Sequence, residues 1–156
     1  MDIRVEWQQP IPLRDGSAEG LIYACEDPAL IPDRPGVYVF ARRHGDSVSP
    51  LYIGQAENVA KRIPQQLNNV KLMKGIENAP TGERILLVAE LALKPGQQAA
   101  RVLEVVENAL IEYALANEFE ILNKQGTRTP VHAIAFEGNA TSRKISPLRM
   151  NVRQRA

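Results

Sequence analysis

Residues 35–62 read PGVYVFARRHGDSVSPLYIGQAENVAKR, and this stretch decides the fold. Two apolar runs, residues 37–41 and 51–53, flank a polar segment of Arg, His, Gly, Asp and Ser, the pattern of a hairpin with a long loop. Each predicted strand carries a tyrosine beside a glycine: Gly36-Val37-Tyr38 on the first, Tyr52-Ile53-Gly54 on the second. Side chains alternate along a strand, so Tyr38 shares a face with Gly36 and Phe40, and Tyr52 shares one with Gly54. Arg62 follows within a helical pattern. Two phenols and a guanidinium gathered at one sheet face make a site suited to a phosphate, because arginine binds two oxygens at once and phenols add hydrogen bonds.

Downstream, Ala56, Val59, Ala60, Ile63, Leu67 and Val70 recur at helical spacing and predict an amphipathic helix. Arg62 flanks its apolar stripe, whereas Lys61 points away. Pro64 removes a backbone donor and crowds the preceding turn, so a kink or break is expected just past Arg62. Residues 71–83 (KLMKGIENAPTGE) read as a loop, and residues 84–93 as a third strand closed by Pro95-Gly96.

The longest helical pattern covers residues 97–117, with Ala99, Leu103, Val106, Leu110 and Ala114 on its apolar stripe. Glu107 falls inside that stripe, about 40° from Leu103 on a 3.6-residue wheel, while Glu104 and Glu112 turn outward. A carboxylate in that position is costly unless a cation, a metal or a donor meets it. Two partners answer: an arginine such as Arg62 or Arg101, or a hard divalent ion such as Mg²⁺, which keeps waters and needs few protein ligands. Periodicity does not choose between them.

Upstream, residues 3–7 and 21–25 are short candidate strands with a turn at Asp15-Gly16, and Pro28, Pro32 and Pro35 punctuate the entry into the hairpin. Trp7 and Tyr23 read as packing residues. Residues 131–136 (VHAIAF) predict a fourth strand carrying His132. His132 and His44 have no second His or Cys at ligand spacing, so no zinc site is expected. No P-loop, Rossmann fingerprint, nucleophile elbow or internal repeat is visible.

A chain of 156 residues, 44% hydrophobic and 24% charged, has the size and composition of one soluble globular domain with extensions. No apolar run approaches the roughly 18–20 residues that cross a bilayer. The start, MDIRVEWQQPIP, lacks the basic and apolar regions of a secretory signal. The single cysteine, Cys25, allows no internal disulfide, which fits a reducing compartment. These features predict a cytoplasmic protein with no membrane partner. The formal net charge of +1 hides an asymmetry: residues 1–137 hold 14 basic against 18 acidic residues, and the five basic residues beyond make a basic tail. An acidic body argues against broad adhesion to nucleic acid, while the tail is either an electrostatic handle or a frayed terminus.

GVY, then YIG, then QAENVAKR resembles the GIY-YIG nuclease superfamily, with Val37 in place of the first tripeptide's isoleucine. The AENVAKR run resembles in particular the N-terminal incision domain of the bacterial excision-repair nuclease. Either tripeptide alone is a weak signal; the ordered pair with an arginine behind it is far more specific. On the long helix, Glu107-Asn108-Ala109-Leu110-Ile111, followed by Asn123 after an apolar step, resembles the superfamily's Glu-x-x-Leu-Ile…Asn signature. The likeness spans residues 34–124.

The resemblance implies a small α/β (α+β) fold, a mixed and mostly antiparallel central sheet flanked by helices. It places a strand-bearing extension at residues 1–33, the GIY-YIG domain at 34–124, and a second extension with one strand and the basic tail at 125–156. It further implies a metal-dependent endonuclease hydrolysing DNA phosphodiester bonds, with Mg²⁺ or Mn²⁺ on Glu107. Tyr38 would be the general base, Tyr52 would orient the phosphate or the water, and Arg62 would neutralise the phosphoryl charge. Gly36 and Gly54 would give room to substrate or to the strand-to-helix turn, and Asn123 would tie down the loop after the long helix. DNA is the implied partner, with a protein partner at the terminal extensions. The alternative is a catalytically silent domain kept as a binding module for nucleic acid or protein. The sequence departs from the pattern at Pro64 and at Ala41, where excision-repair relatives carry a lysine.

Overall fold

A computed structural model describes residues 2–123, 131–135, 137–138, 140–141, 144–145, 147 and 149–153. The chain divides into two compact units, Met1–Asn123 and Lys124–Ala156. In chain order the first unit contains β1 (Arg4–Trp7), β2 (Ile11–Asp15), β3 (Tyr23–Cys25), β4 (Gly36–His44), β5 (Ser47–Ala56), α1 (Val59–Leu67), α2 (Val70–Glu77), β6 (Glu83–Ala92) and α3 (Ala99–Ala116).

The strands form one antiparallel six-stranded sheet ordered β3-β2-β6-β4-β5, with β1 also pairing β6. This is the expected α+β class, and helices cover both sheet faces. Strand β4 explains its own uninterrupted apolar run, because it is buried on both sides. Tyr38 and Phe40 pack with Leu86 and Val88 beneath Val59, Ile63, Met73 and Ile76 of α1 and α2. Val37, Val39 and Ala41 turn the other way, into the layer formed with α3. Residues before Gly36 build β1, β2 and β3 of this sheet. Strand β2 is hidden in the sequence by Pro10 and Pro12, yet Ile11 and Pro12 pair with Leu86 and Ile85.

Two local expectations change. Helix α1 does not break after Arg62; it runs through Pro64 and ends at Leu67. Pro64 forfeits a single backbone bond, whereas the Asn68-Asn69 pair supplies a stop and a restart. The Asn68 amide donates to the Pro64 carbonyl at 2.8 Å, and Asn69 Oδ1 accepts the Leu72 N–H at 3.1 Å as the cap of the next helix. Consequently much of the segment read as a loop, residues 71–83, is helix α2, with Leu72, Met73 and Ile76 buried. Gly75 lowers the helical signal there. Its role is close approach: a Cβ at that position would stand 2.9 Å from Leu122 Cδ1. The carbonyls that end α2 and follow it are met by the buried Arg84 guanidinium, which donates to Ile76, Ala79, Pro80 and Gly82 at 2.8–3.2 Å.

The second unit contains β7 (Val131–Ala135) paired antiparallel with β8 (Arg149–Arg153), placing His132 opposite Val152. The expected strand over residues 131–136 is thus present up to Ala135, and Phe136 lies outside the described residues, as do Arg143 and Arg155 of the tail. Among the described residues no helix is long and apolar enough to cross a membrane.

Candidate active site

Tyr38 stands directly opposite Gly54 in the β4–β5 register. A Cβ on residue 54 would collide with Cζ and Oη of Tyr38 and stand 2.7 Å from its Cε2. The phenol therefore lies across β5 in the space that glycine leaves, and its tip reaches α1. There Gln66 Nε2 donates to the Tyr38 oxygen at 2.6 Å. Gly36, two residues back along β4, likewise permits a close approach, since a Cβ there would meet the Ala89 carbonyl oxygen at 2.6 Å and Val59 at 3.1 Å.

Tyr52 opposes Phe40, and the register then shifts so that Ala41 pairs with Pro50, leaving Leu51 as the extra residue of a bulge. Leu51 and Tyr52 both join the α1/α2 side of the core. The rings of Tyr38 and Tyr52 lie 6.4 Å apart at 32°, Tyr38 fully buried and Tyr52 half-buried. Arg62 is exposed on α1, donates to Gln65 Oε1 at 3.2 Å, and faces the Tyr38 phenol. Burial pushes the Tyr38 pKa above its ordinary value, the Gln66 donor opposes this, the Tyr52 neighbour adds to it, and Arg62 opposes it. Burial wins, so at neutral pH Tyr38 is an un-ionised phenol. Tyr38, Tyr52 and Arg62 are brought together on the α1 face of the sheet.

Glu107 reaches the sheet from the other side. It is half-buried on α3 and interacts with Gln55, whose strand neighbour Val37 packs against α3. Burial raises the Glu107 pKa, the Gln55 hydrogen bond opposes that, and the Glu104 charge adds to it. The phenols and Arg62 on one side, and Glu107 on the other, thus flank β5, the outermost strand. Gly54 and Gln55 are consecutive residues that turn to the two faces. Among the described residues no group of three His, Cys, Asp or Glu side chains converges as a metal cage. A cation resting on Glu107 would have one carboxylate, a hard donor that fits Mg²⁺ or Mn²⁺ carrying several waters, while the Gln55 amide N–H meets the same carboxylate. Hollows of about 630, 380 and 290 Å³ are not lined by any of these four residues.

Asn123 is buried and acts on backbone. Its Oδ1 accepts the Ile53 N–H at 2.9 Å and its Nδ2 donates to the Ile53 carbonyl at 2.6 Å. With Leu122 N–H donating to the Leu51 carbonyl at 2.7 Å, this closes the outer edge of β5 as far as Ile53. Beyond it, residues 54–56 have no further strand partner among the described residues.

No family model, curated protein or solved structure matches this chain. The site therefore rests on its own geometry. Two of its residues escaped the sequence reading, Gln66 and Gln55. Gln66 was detectable by the criterion that singled out Glu107: it lies three residues after Ile63 and seven after Val59, a polar side chain on an apolar stripe. Gln55 carries no such mark, because a polar residue at a strand end is unremarkable until α3 lies beside it.

Proposed function

We propose that this chain is a metal-dependent endonuclease of GIY-YIG type, cutting DNA phosphodiester bonds by hydrolysis in the cytoplasm. The observation that carries the reading is the meeting of Tyr38, Tyr52 and Arg62 at Gly54, in the order and spacing of the motif. Arg62, exposed and permanently charged, takes two non-bridging phosphoryl oxygens and stabilises the charge that builds on them. Tyr52, half-buried at the rim, donates its hydroxyl proton as a hydrogen bond to the phosphate or to the attacking water. The water oxygen forms the new bond to phosphorus, the bond to the 3′ oxygen breaks, and that oxygen leaves and takes its proton from solvent water.

Tyr38 can take the water's proton only as phenolate. Gln66 and Arg62 favour that form and burial opposes it, so the phenolate needs further positive charge beside it, which the anionic DNA does not bring. Glu107, with Gln55 beside it, is the residue that would hold Mg²⁺ or Mn²⁺. When bound, such an ion supplies Lewis-acid stabilisation of the leaving oxygen. Because the two groups flank β5, this reading puts the scissile phosphate at the open strand edge of residues 54–56.

A nicking assay on supercoiled plasmid tests the proposal. Wild-type protein should nick only with a divalent ion, and Glu107→Ala, Arg62→Ala and Tyr38→Phe should each lose at least about a hundredfold in rate with circular dichroism unchanged. Absence of nicking with every divalent ion tried would refute it. The second reading, a silent scaffold that binds nucleic acid or a protein, is favoured by one observation, the 1% exposure of Tyr38. Salt-dependent DNA binding without cleavage would support that alternative.

A further inference from the structure

The first unit is acidic overall, with 12 basic against 17 acidic residues through Asn123, yet four of its six uncommitted cations are gathered on two consecutive helices. Arg14, Arg34, Arg43 and Lys94 are spent in ion pairs with Glu19, Glu90, Glu83 and Asp2. Arg42 and Arg84 donate to backbone carbonyls. Among the described residues of this unit, the cations left without a carboxylate or backbone-carbonyl partner are Arg4, Arg101 and the four on α1 and α2, Lys61, Arg62, Lys71 and Lys74, of which Arg62 donates to the neutral Gln65 side chain.

All four are exposed. Lys71 and Lys74 lie one turn apart, opposite the buried Leu72, Met73 and Ile76; Lys61 lies opposite Val59, Ile63 and Leu67. Both helices pack into the same core on the same sheet face, so their outward sides look the same way. Residues 59–77 carry a net +3, and the remainder of the unit, with 8 basic against 16 acidic residues, carries −8. A polyanion is attracted to this face and repelled from the rest of the unit.

We propose that the outward face of α1 and α2 binds the sugar–phosphate backbone of duplex nucleic acid and leads it to Arg62. The destination rests on the phosphodiesterase reading; the binding does not. Duplex is favoured over single strand because residues 59–77 contain no aromatic side chain on which unpaired bases could stack. An acidic protein partner is disfavoured because the face offers one exposed large apolar side chain, Val70, too little for the apolar centre of a protein interface. Recognition is of phosphates alone and hence independent of base sequence.

The test is fluorescence anisotropy of a short labelled DNA duplex with the full chain, in chelator, over a range of salt. The Lys71→Ala/Lys74→Ala protein should lose about two from the slope of log affinity against log salt, and about one to two orders of magnitude in affinity near 0.1 M salt. The control Arg4→Ala/Arg101→Ala protein, lacking the other two uncommitted cations, should match wild type. A single strand of the same length should bind no more tightly than the duplex. Wild-type affinity in the lysine variant, an equal loss in the control, or tighter single-strand binding would each overturn the proposal. Chelator separates this outcome from nuclease activity: lysine-dependent binding with no nicking in any metal would sink the enzymatic reading and leave this surface standing.

Discussion

The phenol of Tyr38 occupies the place where a side chain on Gly54 would be, its oxygen overlapping the Cβ position that glycine leaves empty. The two motif tripeptides are therefore one packing unit. The glycine of the second makes the volume that the tyrosine of the first fills, and only this arrangement brings the Tyr38 oxygen within 2.6 Å of Gln66 on α1.

Gly54→Ala should accordingly destabilise the protein by about 1–3 kcal/mol, the range for overpacking a close-packed site. In a Tyr38→Ala background the same change should cost much less, because the clashing ring is gone. Urea denaturation of the four proteins completes the cycle. Equal costs in both backgrounds would mean that the two residues do not compete for this space.

Alkaline pH should weaken the fold through Tyr38. A phenol held above its ordinary pKa by burial contributes stability that is complete below about pH 10, the unfolded value, and is lost as pH rises through the folded one. Thermal melts across that window should show a steeper decline in wild type than in Tyr38→Phe. Parallel declines would exclude the linkage.

Glu107 predicts a gain on substitution. Its folded pKa is also raised, so its contribution is favourable below the ordinary glutamate range and is lost as pH climbs through the folded pKa. At pH 7 the half-buried carboxylate is a burden, and Glu107→Gln should melt higher than wild type without metal. The advantage should vanish under acid conditions where the wild-type side chain is protonated. A variant less stable at neutral pH would show that Gln55 and solvent more than compensate the charge.

Asn123→Leu should strip Ile53 of both backbone partners on the outer edge of β5. Leaving two such groups unmet costs about 2 kcal/mol or more, and the Ile53 amide should exchange with deuterium much faster than its β4-paired neighbours. Asn123→Asp keeps the acceptor and loses the donor, so the Ile53 amide should stay protected. Unchanged exchange at Ile53 in the leucine variant would mean that water or Leu122 meets those groups as well.

The hairpin, β6 and α3 were legible because their signals are local. An apolar run bounded by turn residues and a long 3.6-residue stripe need no distant partner to be recognised. Strand β2 and helix α2 were not. Pro12 argues against a strand until β6 offers it an edge, and Gly75 argues against a helix until Leu122 needs the space. In both cases a tertiary neighbour outweighs local propensity.

The same division runs through the site. Sequence alone determined which groups the chain carries and at what spacing: two tyrosines alternating with glycines, an arginine on the following helix, and a glutamate on an apolar stripe, all properties of periodicity along one strand or one helix. Only the tertiary structure decided where those groups stand. Sheet order makes β5 the outer strand and sends α1 and α3 to opposite faces of it, so Tyr38, Tyr52 and Arg62 gather on one side while Glu107 meets Gln55 on the other. Which face a helix covers follows from long-range packing, and no spacing within the helix itself records it.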